Sequence, residues 1–365
     1  MCRLQSLLLL LLVPLVSGHK EPKTLLEVEV QCAHRAAAYD CAPAVEEFTA
    51  TRKRSYAQKI LGEPPELLTG QDLLASGIFD NTIEGGESSD KIFLECSTIR
   101  ETLVQNSTCV LTPETTEGPY WHKAGHPIRQ NIAEYQNGLL LLLDIGVIDV
   151  VTCKPLPNVL VDLWHANATG QYPGHIWPEP GQEPIISEKP RQRAGLVSTT
   201  SPSNQMETSL RGAWPTDRNG VSQFTSIIIF FVQFNDSPLL LFVSAIFPGY
   251  YGRRATHIHA RVFTEWKILP NGSFTSDALV HTGQFFFDDG INLHVDDMHP
   301  YTMNPIRDTL GRARNWHDSG VFEDSQGPEK EYNPVFDLQL LGSIISQGLV
   351  GYITMGINAS ARYQL

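Results

Sequence analysis

His257 and His259 stand two residues apart, with Tyr250, Tyr251, Arg253 and Arg254 just upstream. On a β-strand side chains alternate, so both imidazoles face one way and can share a metal ion. An H-x-H pair also arises by chance on sheet surfaces, so the flanking residues must decide. No Asp or Glu occurs between residues 248 and 263. Cysteine is scarce, so a zinc thiolate site does not fit. What lies at hand is phenol. A phenol titrates near about 10 in water, but a hard, highly charged cation binds the phenolate and keeps it deprotonated at neutral pH. Tyrosinate plus imidazole therefore points to Fe(III) rather than Fe(II), zinc or calcium. A second phenol must come from elsewhere. Tyr172 follows Gly170 in the loop after Trp164, although taken alone it reads as a packing tyrosine.

The elements that must position these groups read as β. Residues 139–151, 159–164, 220–229, 260–263, 279–287 and 351–357 are short runs rich in branched and aromatic residues, with turn chemistry between them. That pattern predicts a mainly β fold, an antiparallel sandwich or barrel, without internal repeats. Before it, residues 27–61 carry apolar stripes for two short helices, ended by Pro64 and Pro65. Residues 66–98 gather Gly, Asp, Glu and Ser and read as loop.

The chain has 365 residues and a net charge of -13, from 40 acidic and 27 basic residues. Such an acidic surface repels phosphate backbones, so nucleic acid is not an expected partner. Residues 1–18 read as a secretory signal: Arg3, an apolar run from Leu7 to Leu12, then Val16, Ser17 and Gly18 for cleavage. The run is too short to span a bilayer, so no membrane segment is expected in the mature chain. Export permits disulfides. Of six cysteines, Cys2 leaves with the signal; the expectation is Cys32 with Cys41 and Cys96 with Cys109, leaving Cys153 over. Acceptor sequences for N-glycans occur at Asn106, Asn167, Asn235, Asn271 and Asn358.

Several segments then match a family in order. They are residues 111–120 (Leu-Thr-Pro-Glu-Thr-Thr-Glu-Gly-Pro-Tyr), 162–172 (Asp-Leu-Trp-His-Ala-Asn-Ala-Thr-Gly-Gln-Tyr), Leu210-Arg211-Gly212, Thr216-Asp217 with Gly220, 247–259, and 282–287 (Thr-Gly-Gln-Phe-Phe-Phe). The chain resembles the intradiol ring-cleavage dioxygenases, catechol and protocatechuate dioxygenases among them, and in particular their secreted fungal branch. The resemblance covers residues 109–289 well and the last strand loosely, so it divides the chain into a helical and loop region (19–108) and a β-sandwich domain (109–365).

The resemblance implies one Fe(III) held by Tyr172, Tyr251, His257 and His259, with Tyr251 the ligand that leaves when substrate chelates. It makes Arg254 a fixed charge that favours the anionic substrate, and Gln284 a second polar group near the iron. Gly118, Pro119, Tyr120 and Trp164 match pocket-lining positions. The implied activity is cleavage by O2 of a catechol-type aromatic diol, between its two hydroxyl-bearing carbons, to a muconate-type diacid. Two departures stand out. Residues 227–245 intervene where the family runs directly on, and read as a retained intron because they are apolar, poor in charge and short. Ala166 stands where secreted relatives carry cysteine, which would account for an unpaired Cys153. The rival expectations are a non-catalytic sandwich that binds small aromatics, and a zinc or Fe(II) site completed by a distant carboxylate.

Overall fold

The computed structural model describes residues 37, 40–61, 115, 117–122, 125–175, 207–224, 245–318, 320–326 and 332–361. The expected signal, most of the region 19–108, Cys32, Cys96, Cys109, Asn106, Asn235 and nearly all of the suspected insertion lie outside the described residues.

Two sheets face each other. The first contains β1 (Leu141–Asp149), β2 (Lys154–Pro155), β5 (Val221–Phe224), β10 (Asp337–Leu340) and β11 (Leu349–Ile357). Its order is β10-β11-β1-β2, with β5 also paired to β1. The second runs β4-β3-β6-β9, built from β4 (Arg211–Pro215), β3 (Leu160–His165), β6 (His257–Phe263) and β9 (Leu279–Phe286). A small hairpin joins β7 (Lys267–Ile268) to β8 (Phe274–Thr275). The mainly β expectation holds, with pairings antiparallel except one: β1 runs parallel to β11. These two strands sit near opposite ends of the described domain, and a parallel pair needs such a long connection.

Alternation divides the labour of each strand. Leu141, Leu143, Ile145 and Val147 of β1 meet Val161 and Leu163 of β3 and Ile258, Ala260 and Val262 of β6 in one core. The opposite face of β1 is covered by α1 (Ala42–Leu61). Val45, Phe48, Arg52 and Tyr56 recur at spacings of three and four, which places them on one stripe. Arg52 forms a buried ion pair with Asp144 and donates to the Ile353 carbonyl at 3.0 Å. Tyr56 packs edge-on against Tyr352. Within the expected two-helix region the described residues include this helix of 20 residues, and residues 37 and 40 before it are helical too. Two helices not expected from sequence, α2 (Asp289–Asp296) and α3 (Val321–Gln326), follow β9.

The expected Cys32–Cys41 pair and the unpaired Cys153 are overturned, whereas Cys96 with Cys109 lies outside the described residues. Cys41 is joined to Cys153, 112 residues away, so Cys153 is not left over and Cys41 does not pair with Cys32. Spacing favoured the near neighbour, but α1 lies against β1 and brings its first turn to the β1–β2 turn. Ala166 has no part in this; it packs among Tyr120, Trp164, Tyr172 and Tyr251.

The edge of β1 carries a further finding. Phe224 of β5 lies opposite Leu143, and Ile246 lies opposite Leu140. Three residues on β1 are matched by twenty-two on the other segment, an excess of nineteen. Residues 227–245 number nineteen, so removing them sets Ile246 three positions after Phe224, in unbroken register. Ser226 would then stand where Ala245 accepts from the Leu141 amide at 3.1 Å.

Two outcomes follow. A chain lacking 227–245 folds with an unfolding midpoint no lower than that of the full chain; an insoluble deletion would refute the register argument. The double substitution C41S/C153S costs roughly 2–5 kcal/mol of stability, because the bridge closes a long loop in the unfolded chain. Denaturant titration under non-oxidising and oxidising conditions measures it.

Candidate metal centre

β6 supplies the first half of the site. Ile258, Ala260 and Val262 turn into the core, so His257, His259 and Arg261 take the other face. His257 and His259 are both buried, with their Nε2 atoms 3.1 Å apart. Nδ1 of His257 donates to the Ala255 carbonyl at 2.7 Å, which leaves Nε2 unprotonated with its lone pair turned to the site.

The phenols arrive on two loops packed back to back. Asn167 Oδ1 accepts from the Thr169 amide, the Thr169 hydroxyl and the Gln171 amide, at 3.1, 3.0 and 3.0 Å, closing the turn that delivers Tyr172. The Gly249 amide donates to the Asn167 carbonyl at 3.0 Å and fixes the loop that delivers Tyr251. Side chains would wedge these loops apart. A Cβ on Gly249 would sit 2.3 Å from the Ala168 carbonyl oxygen, and one on Gly170 2.0 Å from that of Tyr250. The Tyr251 hydroxyl lies 3.1 Å and the Tyr172 hydroxyl 3.4 Å from His257 Nε2. Tyr250 points elsewhere, its ring under the Arg312 guanidinium at 4.5 Å.

The other sequence-derived residues gather here, Pro119 excepted by its exposure. One row across the sheet sets Arg211, Trp164, His259 and Gln284 side by side. The Trp164 indole stacks on His259 at 4.8 Å and 5°. Such a contact is worth about 0.5–1.5 kcal/mol beyond burial and fixes the imidazole plane. Tyr120 stacks on Tyr172 at 3.9 Å and 5°. Gly118 lies against the edge of His259, where an added Cβ would be 3.2 Å from Cε1. Arg254 Nη1 donates to the Tyr251 hydroxyl at 3.3 Å, and Nη2 to Gln284 Oε1 at 2.5 Å. Pro119 is exposed.

The donor set fits a trivalent cation. Burial, then Arg254, hold His257 and His259 well below the usual imidazole range, so both are neutral and able to ligate. Burial, then Tyr251 and Tyr120, push Tyr172 well above an ordinary phenol. A buried phenolate here therefore needs a strong positive charge beside it. Among the described residues no group of three or more His, Cys, Asp or Glu could hold a metal. A carboxylate-completed zinc or Fe(II) site is thus not formed by them; two phenols and two imidazoles are what converge.

At this point the molecule can be set beside others. No protein-family model matches the chain, and no curated protein matches it. Solved structures do. An intradiol ring-cleavage dioxygenase from Tetranychus urticae is 26% identical over 70% of this chain and 98% of its own, with a TM-score of 0.48. The dioxygenase Tetur07g02040 is 27% identical over 70% of this chain and 97% of its own, at 0.46. Catechol 1,2-dioxygenase from Pseudomonas arvilla C-1 is 18% identical over 94% and 91%, at 0.36.

Sequence reasoning missed several residues of the site. Arg211, quoted in a motif but given no role, is buried and donates to the Tyr120 carbonyl at 2.6 Å and the Pro173 carbonyl at 3.0 Å, tying the Tyr120 and Tyr172 segments together. Asp162 accepts from His126 Nδ1 at 2.6 Å and from the Trp121 indole at 3.0 Å beneath the same row. Asn304 donates to the Tyr250 carbonyl at 2.7 Å, and Arg312 to the Thr256 hydroxyl at 2.8 Å. The segment carrying them had no motif to announce it.

His165, next to this row, gives a pH signature. It is fully buried, with Nδ1 2.8 Å from the Ala166 carbonyl. Burial first lowers it to about 4, against the pull of that carbonyl. The unfolded imidazole titrates near about 6.5. As pH falls from there towards about 4, the unfolded chain gains a proton the folded one refuses, so stability is lost. The loss is on the order of 3 kcal/mol. Urea titrations between neutral pH and pH 4 should show it, and H165N should flatten the slope.

Proposed function

We propose that the chain is an iron(III)-dependent intradiol dioxygenase that opens the ring of a catechol-type diol with O2, giving a muconate-type diacid. The carrying observation is the convergence of Tyr172, Tyr251, His257 and His259, with the Tyr172, Tyr251 and His259 donor atoms 3.1–3.4 Å from His257 Nε2 in a buried site. These four residues would hold the ferric ion, which supplies Lewis-acid activation of a chelated diol towards dioxygen.

The remaining chemistry belongs to this chain's side chains. Tyr251 would be placed to take a hydroxyl proton of the diol on its phenolate oxygen. Arg254 lies beside that oxygen and favours negative charge on the bound ring. Burial opposes its charged form, but Asp318 and Tyr251 outweigh it and raise Arg254 above its ordinary value. Gln284 holds Arg254 from the neighbouring strand. Trp164 and Tyr120 keep His259 and Tyr172 in plane and, with Gly118 and Pro119, would border the aromatic substrate.

We further propose that the protein is exported and belongs to the secreted fungal branch, acting on small aromatic diols outside the cell. The signal-like start and the Cys41–Cys153 bridge support this, since such bridges persist in oxidising compartments. Of the described glycan acceptors, Asn271 lies exposed in a turn, and Asn167 and Asn358 are half-buried. Among the described residues no helix is long and apolar enough to cross a membrane.

The purified protein should be wine-red, bind one iron and take up oxygen with a panel of catechols. H257A should lose colour, iron and oxygen uptake together, whereas Q284A should keep iron and lose about 10- to 100-fold in rate. A colourless protein that gains no iron and leaves every diol intact would refute the proposal and leave a sandwich that at most binds aromatics.

A further inference from the structure

Behind Arg254, on the side away from Tyr251, lies a carboxylate that the proposed reaction has not used. Asp318 follows a short 3-10 turn (Asn315–His317), after β9 and α2 and far from the ligands in sequence. It is buried, with a side chain as dry as the guanidinium it meets. Its Oδ1 accepts from Arg254 Nε at 2.7 Å and from the Ala255 amide at 2.6 Å. Its Oδ2 lies 3.3 Å from Arg254 Nη2. Burial raises the Asp318 carboxyl, whereas contact with Arg254 and the backbone amides lowers it. The donors on both oxygens favour the ionised pair.

The consequence is geometric. An arginine side chain is long and loses much rotamer freedom when held. A charge stabilises an anion best when it needs no reorganisation at the moment of reaction. Asp318 takes the Nε–Nη2 edge of the guanidinium, and Gln284 shares Nη2. Nη1 is thereby turned to the Tyr251 oxygen. The same carboxylate holds the Ala255 amide, and the Ala255 carbonyl fixes His257. We infer that Asp318 is a positioning residue, locking Arg254 against Tyr251 and the backbone beneath His257, so that the proposed centre is assembled by a segment more than sixty residues downstream. This rests on the function proposed above.

The test compares wild type, D318N, R254Q and the double variant, each loaded with ferric iron, by iron content, visible phenolate charge-transfer band, kcat and KM with catechol, and thermal midpoint. The expected result is that D318N binds the same iron, shifts the band and loses about 10- to 100-fold in kcat with KM within about twofold, because position rather than binding area is lost. The double variant should match R254Q in band and rate. If D318N lowers only the thermal midpoint, or if the two losses add in the double variant, the inference is overturned. Should D318N fail to fold, the double variant, which leaves no buried charge unpaired, is compared with R254Q: equality supports the inference and a further loss overturns it. A wild-type protein without the band overturns the functional reading and this inference with it, a result distinct from any variant failure.

Discussion

Polar atoms that face one another inside a dry protein must have something between them or something to hold them there. Around His257 Nε2 stand a second imidazole nitrogen and two phenol oxygens, all within 3.4 Å. Gathering such polar groups in a dry site costs free energy that the surrounding packing must offset. The surrounding sheet spends its packing on keeping them together: Trp164 against His259, Tyr120 against Tyr172, the Ala255 carbonyl on His257. A cation that accepts phenolate and imidazole together relieves that conflict, and the proposed iron centre is the reading in which the arrangement makes physical sense.

The sandwich serves this by giving β6 two unlike faces. One face joins the apolar core, which fixes the strand's register against β3 and β9. A slip of one residue would turn both histidines into that core. Register thus aims both imidazoles, and the packing of this strand and the direction of its histidines cannot be tuned separately. The loops carry the phenols because loops can bend where strands cannot. Here they are held by glycine contacts, by the Asn167 turn and by Arg211 bridging the Tyr120 and Tyr172 segments.

Much of this was legible along the chain. The H-x-H spacing, read with period two, puts both imidazoles on one face, and the structure places them so. Strands β1, β3, β5, β6, β9 and β11 were expected near their observed places because branched and aromatic runs mark them, whereas β2, β4, β7, β8 and β10 were not. The stretch 227–245 stood out as a break in pattern, and the pairing of β1 with Phe224 and Ile246 has the matching nineteen-residue excess. The cysteine pairing failed because spacing in sequence says nothing of how α1 lies on β1, and the parallel β1–β11 pair was hidden for the same reason.

By itself the sequence determined which side-chain types were on hand, imidazole and phenol with no carboxylate between residues 248 and 263, and that the two imidazoles would share a face if a β-strand carried them. Those facts follow from residue chemistry and a two-residue period. Only the tertiary structure decided that Asp318, Arg211, Asn304 and Arg312 would brace them. A buried charge must find its counter-charge wherever the fold brings one, and that meeting is set by packing across the domain rather than by any local pattern.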